Sequence, residues 1–234
     1  MTELLWGRQQ PPSRGPKPAM TLTGIAEAAI RIADAEGLDA VSMQRVADDL
    51  PVTKMALYRY VPGKTELVAV MSDLAMGEPS EHPGLAWREA LHAWAMDLFE
   101  GFNRHPWLLL STVGRRPVGP NEVAWIDRGV QALTDSGLNG TEQLDSILVL
   151  AGHVRTIALQ TATMPGGRQG LTEESFTASF AGILAAEADR FPSLAAALQS
   201  PSGHENQGLE FGLDRILDGL ELLISARNER ASVN

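Results

Sequence analysis

Apolar residues recur at intervals of three and four along most of the chain, and this spacing predicts helices. The most informative stretch is residues 42–64. Its first half places four apolar side chains on one face of a short helix: Met43, Val46, Ala47 and Leu50. Ser42 is in position to cap that helix, and Pro51 ends it because proline has no backbone N–H to donate. A second short helix is predicted to begin near Thr53 and to end at Pro62.

The other long segments keep the same helical spacing, and no stretch alternates apolar and polar residues as a strand does. An all-α protein is therefore predicted. Its further helices cover residues 21–36, capped by Thr21 or Thr23, and 64–76, 87–102, 107–114, 120–136, 141–164, 173–189 and 205–227. Thr141 is the expected cap of the long sixth segment. In the helix 120–136, the inward positions are expected to be Val123, Ile126, Val130 and Leu133.

A stretch rich in proline and glycine, residues 77–84, marks a domain boundary. It divides the chain into a small helical domain, 20–76, and a larger one, 77–234. Residues 1–19 precede both, and Pro11, Pro12, Pro16 and Pro18 exclude a helix there. We expect a flexible leader, with an arm that follows the minor groove of DNA as the alternative.

Charge separates the two domains further. The chain has a formal net charge of -10, yet residues 1–76 hold eight Lys or Arg against nine Asp or Glu, so the excess acid lies in the second part. From Lys54 to Lys64 there are three cations, Lys54, Arg59 and Lys64, and no carboxylate. A specific reader of DNA needs such a local basic patch rather than a basic protein.

A helix, a tight turn and a short second helix with polar and aromatic side chains form the layout of a helix-turn-helix, whose second helix enters the major groove of double-stranded DNA. An α-helical protein-binding adaptor that never touches DNA is the alternative. We predict that one group of side chains lies near base edges: Gln44, Lys54, Met55, Ala56 and Tyr58. A second group is predicted to contact phosphates: Thr53, Arg59, Tyr60 and Lys64.

Several short motifs of residues 20–70 resemble the N-terminal domain of TetR family transcriptional repressors. They are Ile25-x-x-Ala28-Ala29, Glu36-Gly37-Leu38, Ser42-Met43-x-x-Val46-Ala47, and Ala56-Leu57-Tyr58-Arg59-Tyr60-Val61 followed by Lys64. The chain departs from the family at Pro51, where glycine is usual. The segment Phe211 to Leu220 is similar to the final helix of tetracycline-repressor-type regulators, in which two helices of each subunit form a four-helix dimer interface. The resemblance implies a homodimer on a palindromic operator and a C-terminal domain that binds an effector.

The larger domain carries aromatic side chains and scattered polar groups that suit a mainly apolar pocket for a small organic effector. The predicted effector-binding residues are Trp94, Phe102, Trp107, Arg115, Trp125, His153 and Gln160. Where tetracycline repressors have a metal-binding His and a Glu, this chain has Thr112 and Thr161. We therefore expect an effector that is not a tetracycline-magnesium chelate, and no metal or other cofactor.

Enzyme chemistry finds little support in the sequence. The chain has no Cys, no glycine-rich phosphate loop followed by Lys and Ser or Thr, and its five His residues lack metal-ligand spacing. No apolar run reaches the length of about 18 to 20 residues that a membrane span needs, and the N-terminus lacks the apolar core of a signal peptide. We therefore expect a cytoplasmic regulator that does not interact with membranes.

Overall fold

A computed structural model describes residues 2–7, 20–162, 181–183, 187–199 and 208–233. Within those ranges every regular element is helical, which confirms the all-α prediction. The α-helices are α1 Thr2–Leu5, α2 Leu22–Glu36, α3 Met43–Asp49, α4 Lys54–Leu57, α5 Lys64–Met76, α6 Trp87–Arg104, α7 Leu108–Ser111, α8 Pro120–Ala132, α9 Gly140–Thr161, α10 Pro192–Gln199 and α11 Gly208–Val233. Most of the predicted helix 173–189 lies outside the described residues.

The small domain forms from α2 to α5, and its helix ends follow the capping rules. Thr21 caps α2 by accepting a hydrogen bond from the Gly24 amide at 3.0 Å, and Ser42 caps α3 by accepting from the Arg45 amide at 3.1 Å. Gly37 ends α2 with φ of 89°, a conformation that glycine adopts without steric cost. Fully buried side chains of all four helices meet in one core: Ile25, Ala29, Val46, Leu57 and Leu67.

The larger domain is built on α9, which packs against α6, α8 and α11. The N-cap of α9 is Asn139 rather than the predicted Thr141. Asn139 Oδ1 accepts from the Glu142 amide at 3.0 Å while Glu142 Oε2 accepts from the Asn139 amide at 3.0 Å, so the two residues satisfy each other's free amides. The hydrophobic cores of the two domains are continuous.

Helix α8 faces the core through a different stripe from the one predicted. Val123 and Ile126 are each 40% exposed, so the expectation that they point inward is wrong, whereas Leu133 is buried as expected. Trp125 and Gly129 take the inward positions instead. Gly129 allows α8 to pack this closely against α9, because a β-carbon at this position would lie 2.8 Å from Ile147 Cδ1.

The first residues of the chain differ from the expected flexible leader. The prolines that exclude a helix begin only at Pro11, and Thr2–Leu5 forms the short helix α1. Leu4 is buried in the core, and α1 packs against α5. The Trp6 indole Nε1 donates to the Val118 carbonyl at 3.3 Å. This segment therefore contacts both domains.

Candidate functional site

The turn between α3 and α4 sets the direction of the second helix. Pro51 lies there with φ of 26°, in the region that favours the glycine usual in the resembling family. The Val52 amide donates to the Ala47 carbonyl at 3.0 Å, which closes the turn. Thr53 caps α4 by accepting from the Ala56 amide at 3.3 Å, and hydrogen-bonded helical turns continue to Val61. The turn thus keeps the helix-turn-helix geometry despite the substitution.

The outer face of α4 and the start of α5 present a row of side chains to solvent. Met55 is 72% exposed and Tyr58 is 40% exposed, and Lys54 Nζ lies 5.9 Å from the centroid of the Tyr58 ring. Arg59 and Lys64 are exposed as well. Within the described part of the chain, Lys54, Arg59 and Lys64 have no ion-pair partner. Three free cations around an exposed aromatic ring suit a phosphate backbone.

Two arginines elsewhere in the small domain behave differently. Arg31 pairs with Asp49 at 2.8 Å, and Arg45 pairs with Glu36 at 2.6 Å. The hydrogen bond and the charge of Glu36 raise the pKa of Arg45 above its ordinary value. Carboxylates therefore neutralise the arginines of α2 and α3, whereas the cations along α4 have no such partner among the described residues.

The other predicted DNA contacts take varied positions. Gln44 and Thr53 are exposed, but Gln44 Nε2 donates to Asp48 Oδ1 at 2.8 Å and Thr53 serves as the cap of α4. Ala56 and Tyr60 are half-buried, and Tyr60 packs against the core. The bond to Asp48 uses one of the two Nε2 hydrogens of Gln44 and not its carbonyl oxygen. The role of each of the nine residues stays a prediction.

Two arginines lie inside the larger domain with unequal partners. Arg116 forms a two-fold salt bridge with Glu122, in which Arg116 Nη1 and Glu122 Oε2 are 2.7 Å apart. Arg155 instead donates to the Leu109 carbonyl at 3.1 Å and to Thr112 Oγ1 at 2.8 Å, and its guanidinium lies 4.9 Å from the Phe102 ring centroid. Burial, and then the charge of Arg116, lower the pKa of Arg155. Arg155 is thus a half-buried cation without a carboxylate partner in the described part of the chain.

The predicted effector-binding residues do not form one cluster. Trp94 and Trp125 are buried edge to face, with ring centroids 6.0 Å apart, and Phe102 is buried beside Arg155. His153 Nε2 hydrogen-bonds to the Leu209 carbonyl at 2.9 Å, which ties α9 to α11. The remaining three lie elsewhere: Trp107 at the joint between the domains, and Arg115 and Gln160 at the surface.

Two carboxylates join the domains. No local sequence pattern predicts either contact, because the bonded partners are distant in the chain. Asp34 Oδ1 in α2 accepts from Trp107 Nε1 at 2.7 Å and lies 2.8 Å from His105 Nδ1. Asp73 Oδ1 in α5 accepts from the amides of Asn121 and Glu122 at 3.0 and 3.2 Å, and so caps α8 from outside.

A second connection reaches the end of α5 through two indoles. Trp94 Nε1 donates to the Trp125 carbonyl at 2.9 Å, and Trp125 Nε1 donates to the carbonyl of Gly77, the C-cap of α5, at 3.0 Å. Helix α5 of the small domain is therefore held at its C-terminal end by α8.

A helix-turn-helix with free cations, joined by one long helix to a larger all-α domain, defines a DNA-binding regulator of the two-domain helical class. Comparison with known proteins specifies it further. Residues 25–71 match the model of bacterial regulatory proteins of the tetR family, and residues 78–224 match the tetracyclin repressor-like C-terminal domain. The chain belongs to the TetR family of transcriptional regulators.

Individual relatives agree with this assignment. The chain is 39% identical over 233 residues to the HTH-type transcriptional repressor DrrR1 of Streptomyces coeruleorubidus, covering 96% of this chain and 86% of that protein. Apo ActR of Streptomyces coelicolor superposes with a TM-score of 0.76 at 26% identity, over 90% of this chain and 99% of ActR. ActR in complex with actinorhodin gives a TM-score of 0.72 at 28% identity, over 88% and 96% of the two chains.

Proposed function

We propose that this TetR family regulator is a repressor that binds a palindromic operator as a homodimer and is released by a small organic effector. The observation that carries the DNA part is the set of exposed cations without ion-pair partners from the start of α4 to the start of α5, Lys54, Arg59 and Lys64, with Lys54 beside exposed Tyr58. Each subunit offers one short recognition helix, and two of them span half-sites about 34 to 36 Å apart. Because its partner is DNA, the repressor acts in the cytoplasm.

Exposed apolar side chains on two packed helices support the homodimer. Leu148 and Val149 of α9 are 66% and 55% exposed, and Phe211 and Leu222 of α11 are 65% and 74% exposed. A surface of this kind on a water-facing helix pair is typical of an interaction site. We expect Leu148→Glu to sediment as a monomer, whereas Val113→Glu, an exposed control outside these helices, stays dimeric. A dimeric Leu148→Glu protein would contradict this interface.

The proposed effector site lies at Phe102 and Arg155. The buried Phe102 ring lies under the guanidinium of Arg155, and this half-buried guanidinium has donors left to give to a polar group of the effector. The complex of ActR with actinorhodin supports an organic ligand for this chain. Effector binding would be transmitted to the helix-turn-helix through α5, because Asp73 and Gly77 attach the end of α5 to α8.

Thermodynamic reciprocity gives the test of release. If the effector weakens operator binding, saturating operator must weaken effector binding by the same factor. A titration in which effector affinity is indifferent to saturating operator would remove release from the proposal and leave DNA binding intact.

Selection of bound duplexes from a randomised DNA pool, read by sequencing, tests the DNA part. We expect enrichment of an inverted repeat by the purified protein. An Arg59→Gln, Lys64→Gln double variant with an unchanged melting temperature serves as the matched control and should enrich it poorly. If folded, dimeric protein enriches no sequence, the helix pair is a structural hairpin and the protein-binding adaptor is the better interpretation.

A further inference from the structure

A cleft of about 670 Å³ opens on the larger domain, between the segment before α6, the first half of α6 and the last turns of α8. Its volume falls within the range of small-molecule sites, about 300–1,000 Å³. Phe102 and Arg155, the proposed effector site, do not line it. The residues that matter for recognition are Glu81, Trp87, Ala90, Trp94, Arg128 and Asp135.

One carboxylate that lines the cleft has no ion-pair partner among the described residues. Arg128 pairs with Glu81 at 3.2 Å, and His82, which also lines the cleft, lies 2.8 Å from the Asp97 carboxylate. Asp135 is exposed at the rim and, within the described residues, has no ion-pair partner. The cleft therefore has a residual negative charge to offer a ligand.

Trp87 and the buried Trp94 give the cleft an aromatic wall and floor. Trp87 is half-buried at the start of α6, and Trp94 lies two turns further along the same face, only 4% exposed at the bottom of the cleft and held by its bond to the Trp125 carbonyl. Indole faces attract cations and stack on aromatic ligands. Since Trp94 and Trp125 are bonded in series to the C-cap of α5, the lining is also attached to the helix that leads to the DNA-reading domain.

We infer that this cleft is a second small-molecule site, which binds an organic cation with an aromatic body. The ammonium group would lie against Asp135 at the rim, and the ring against Trp87, above the buried Trp94. A negatively charged ligand would meet the free carboxylate unfavourably here. The charge preference is thus opposite to that of the guanidinium of Arg155, which separates the two sites chemically.

Two probes with the same ring and opposite charge test the inference: 1-naphthylmethylamine and 1-naphthaleneacetate. Calorimetric titration of the free dimer, without DNA, gives their dissociation constants. We expect the amine to bind at least about tenfold more tightly than the acetate to the cleft. Asp135→Asn should weaken the amine by about fivefold, and Asp145→Asn, an exposed acid of α9 outside the cleft, should leave it unchanged.

Ala90→Phe locates the probe, because a ring at this position fills the cleft and should abolish amine binding. If that variant melts early, Ala90→Leu repeats the test with a smaller side chain. Amine binding that survives both Asp135→Asn and the Ala90 variants would overturn the inference, as would acetate binding that equals amine binding and is likewise lost in the Ala90 variants. Since no operator is present, either result leaves the proposed DNA-binding function untouched.

Discussion

The cations of the helix-turn-helix surface and the arginines of the larger domain have opposite surroundings. Along α4 and the start of α5, Lys54, Arg59 and Lys64 stand free in solvent. In the larger domain, carboxylates hold most of the described arginines: Arg88 pairs with Asp218 at 2.6 Å, Arg128 with Glu81 at 3.2 Å, and Arg116 with Glu122. The net charge of -10 conceals this difference. Function follows from which cations lack a partner, because only those are free to meet an external anion.

The largest expected effect comes from breaking the most buried of these pairs. Arg116 and Glu122 side chains are only 16% and 21% exposed. Glu122→Gln leaves a partly buried guanidinium without its charge partner, and we expect a loss of about 2–3 kcal/mol in the free energy of unfolding. Glu81→Gln, which breaks an exposed pair, should cost less than about 1 kcal/mol. Denaturant unfolding measures both, and equal losses would contradict the distinction between inner and outer pairs.

The joint between the domains depends on a glycine. A β-carbon at Gly119 would lie 2.2 Å from the Asp73 carboxyl group, so Gly119→Ala must displace the side chain that caps α8. We expect a loss of about 1–2 kcal/mol in the free energy of unfolding. Gly101→Ala in α6, where a β-carbon meets nothing within 4 Å, is the matched control and should be neutral or stabilising. Equal destabilisation by both would show that Asp73 does not act as a cap.

The turn before the recognition helix should give a smaller change in stability when it is altered. Proline at φ of 26° is strained, so Pro51→Gly should relieve backbone strain while it adds freedom to the unfolded chain. We expect a net gain of about 1 kcal/mol in the free energy of unfolding, with operator affinity preserved because the turn keeps its shape. A variant that is less stable than the parent would show that the turn is unstrained.

The smallest effect concerns pH. Burial raises the pKa of the Asp73 carboxyl above its ordinary value, despite the two amides that favour its charged form. A raised pKa in the folded state contributes stability that is full below the unfolded pKa and is lost as the pH rises through the folded one. Asp73→Asn keeps an acceptor oxygen and does not ionise. Its melting temperature relative to the parent should therefore rise from pH 4 towards neutrality, and a constant difference would contradict the raised pKa.

The sequence predicts what is local. Ser42 and Thr21 are caps because capping needs only neighbouring amides, and the free cations of the helix-turn-helix are visible as a run without carboxylates. The joints and the effector region are different. Asp73 bonds to Asn121 and Arg155 bonds to Thr112, and each pair is separated by more than forty residues of chain. The spacing of apolar residues along the chain does not indicate such pairs. Trp107 shows the same limit, since its indole bonds to Asp34 of the small domain, a partner that no local pattern indicates.

The salt dependence of operator binding tests the central claim most directly. Each free cation that meets a phosphate contributes about one unit to the slope of log affinity against log salt. We predict that Arg59→Gln and Lys64→Gln each flatten that slope by about one unit, while Arg31→Gln and Arg45→Gln, whose parents are paired with Asp49 and Glu36, leave it unchanged. An unchanged slope for the first two variants, or equal changes for all four, would contradict the conclusion that the unpaired cations form the DNA-binding surface.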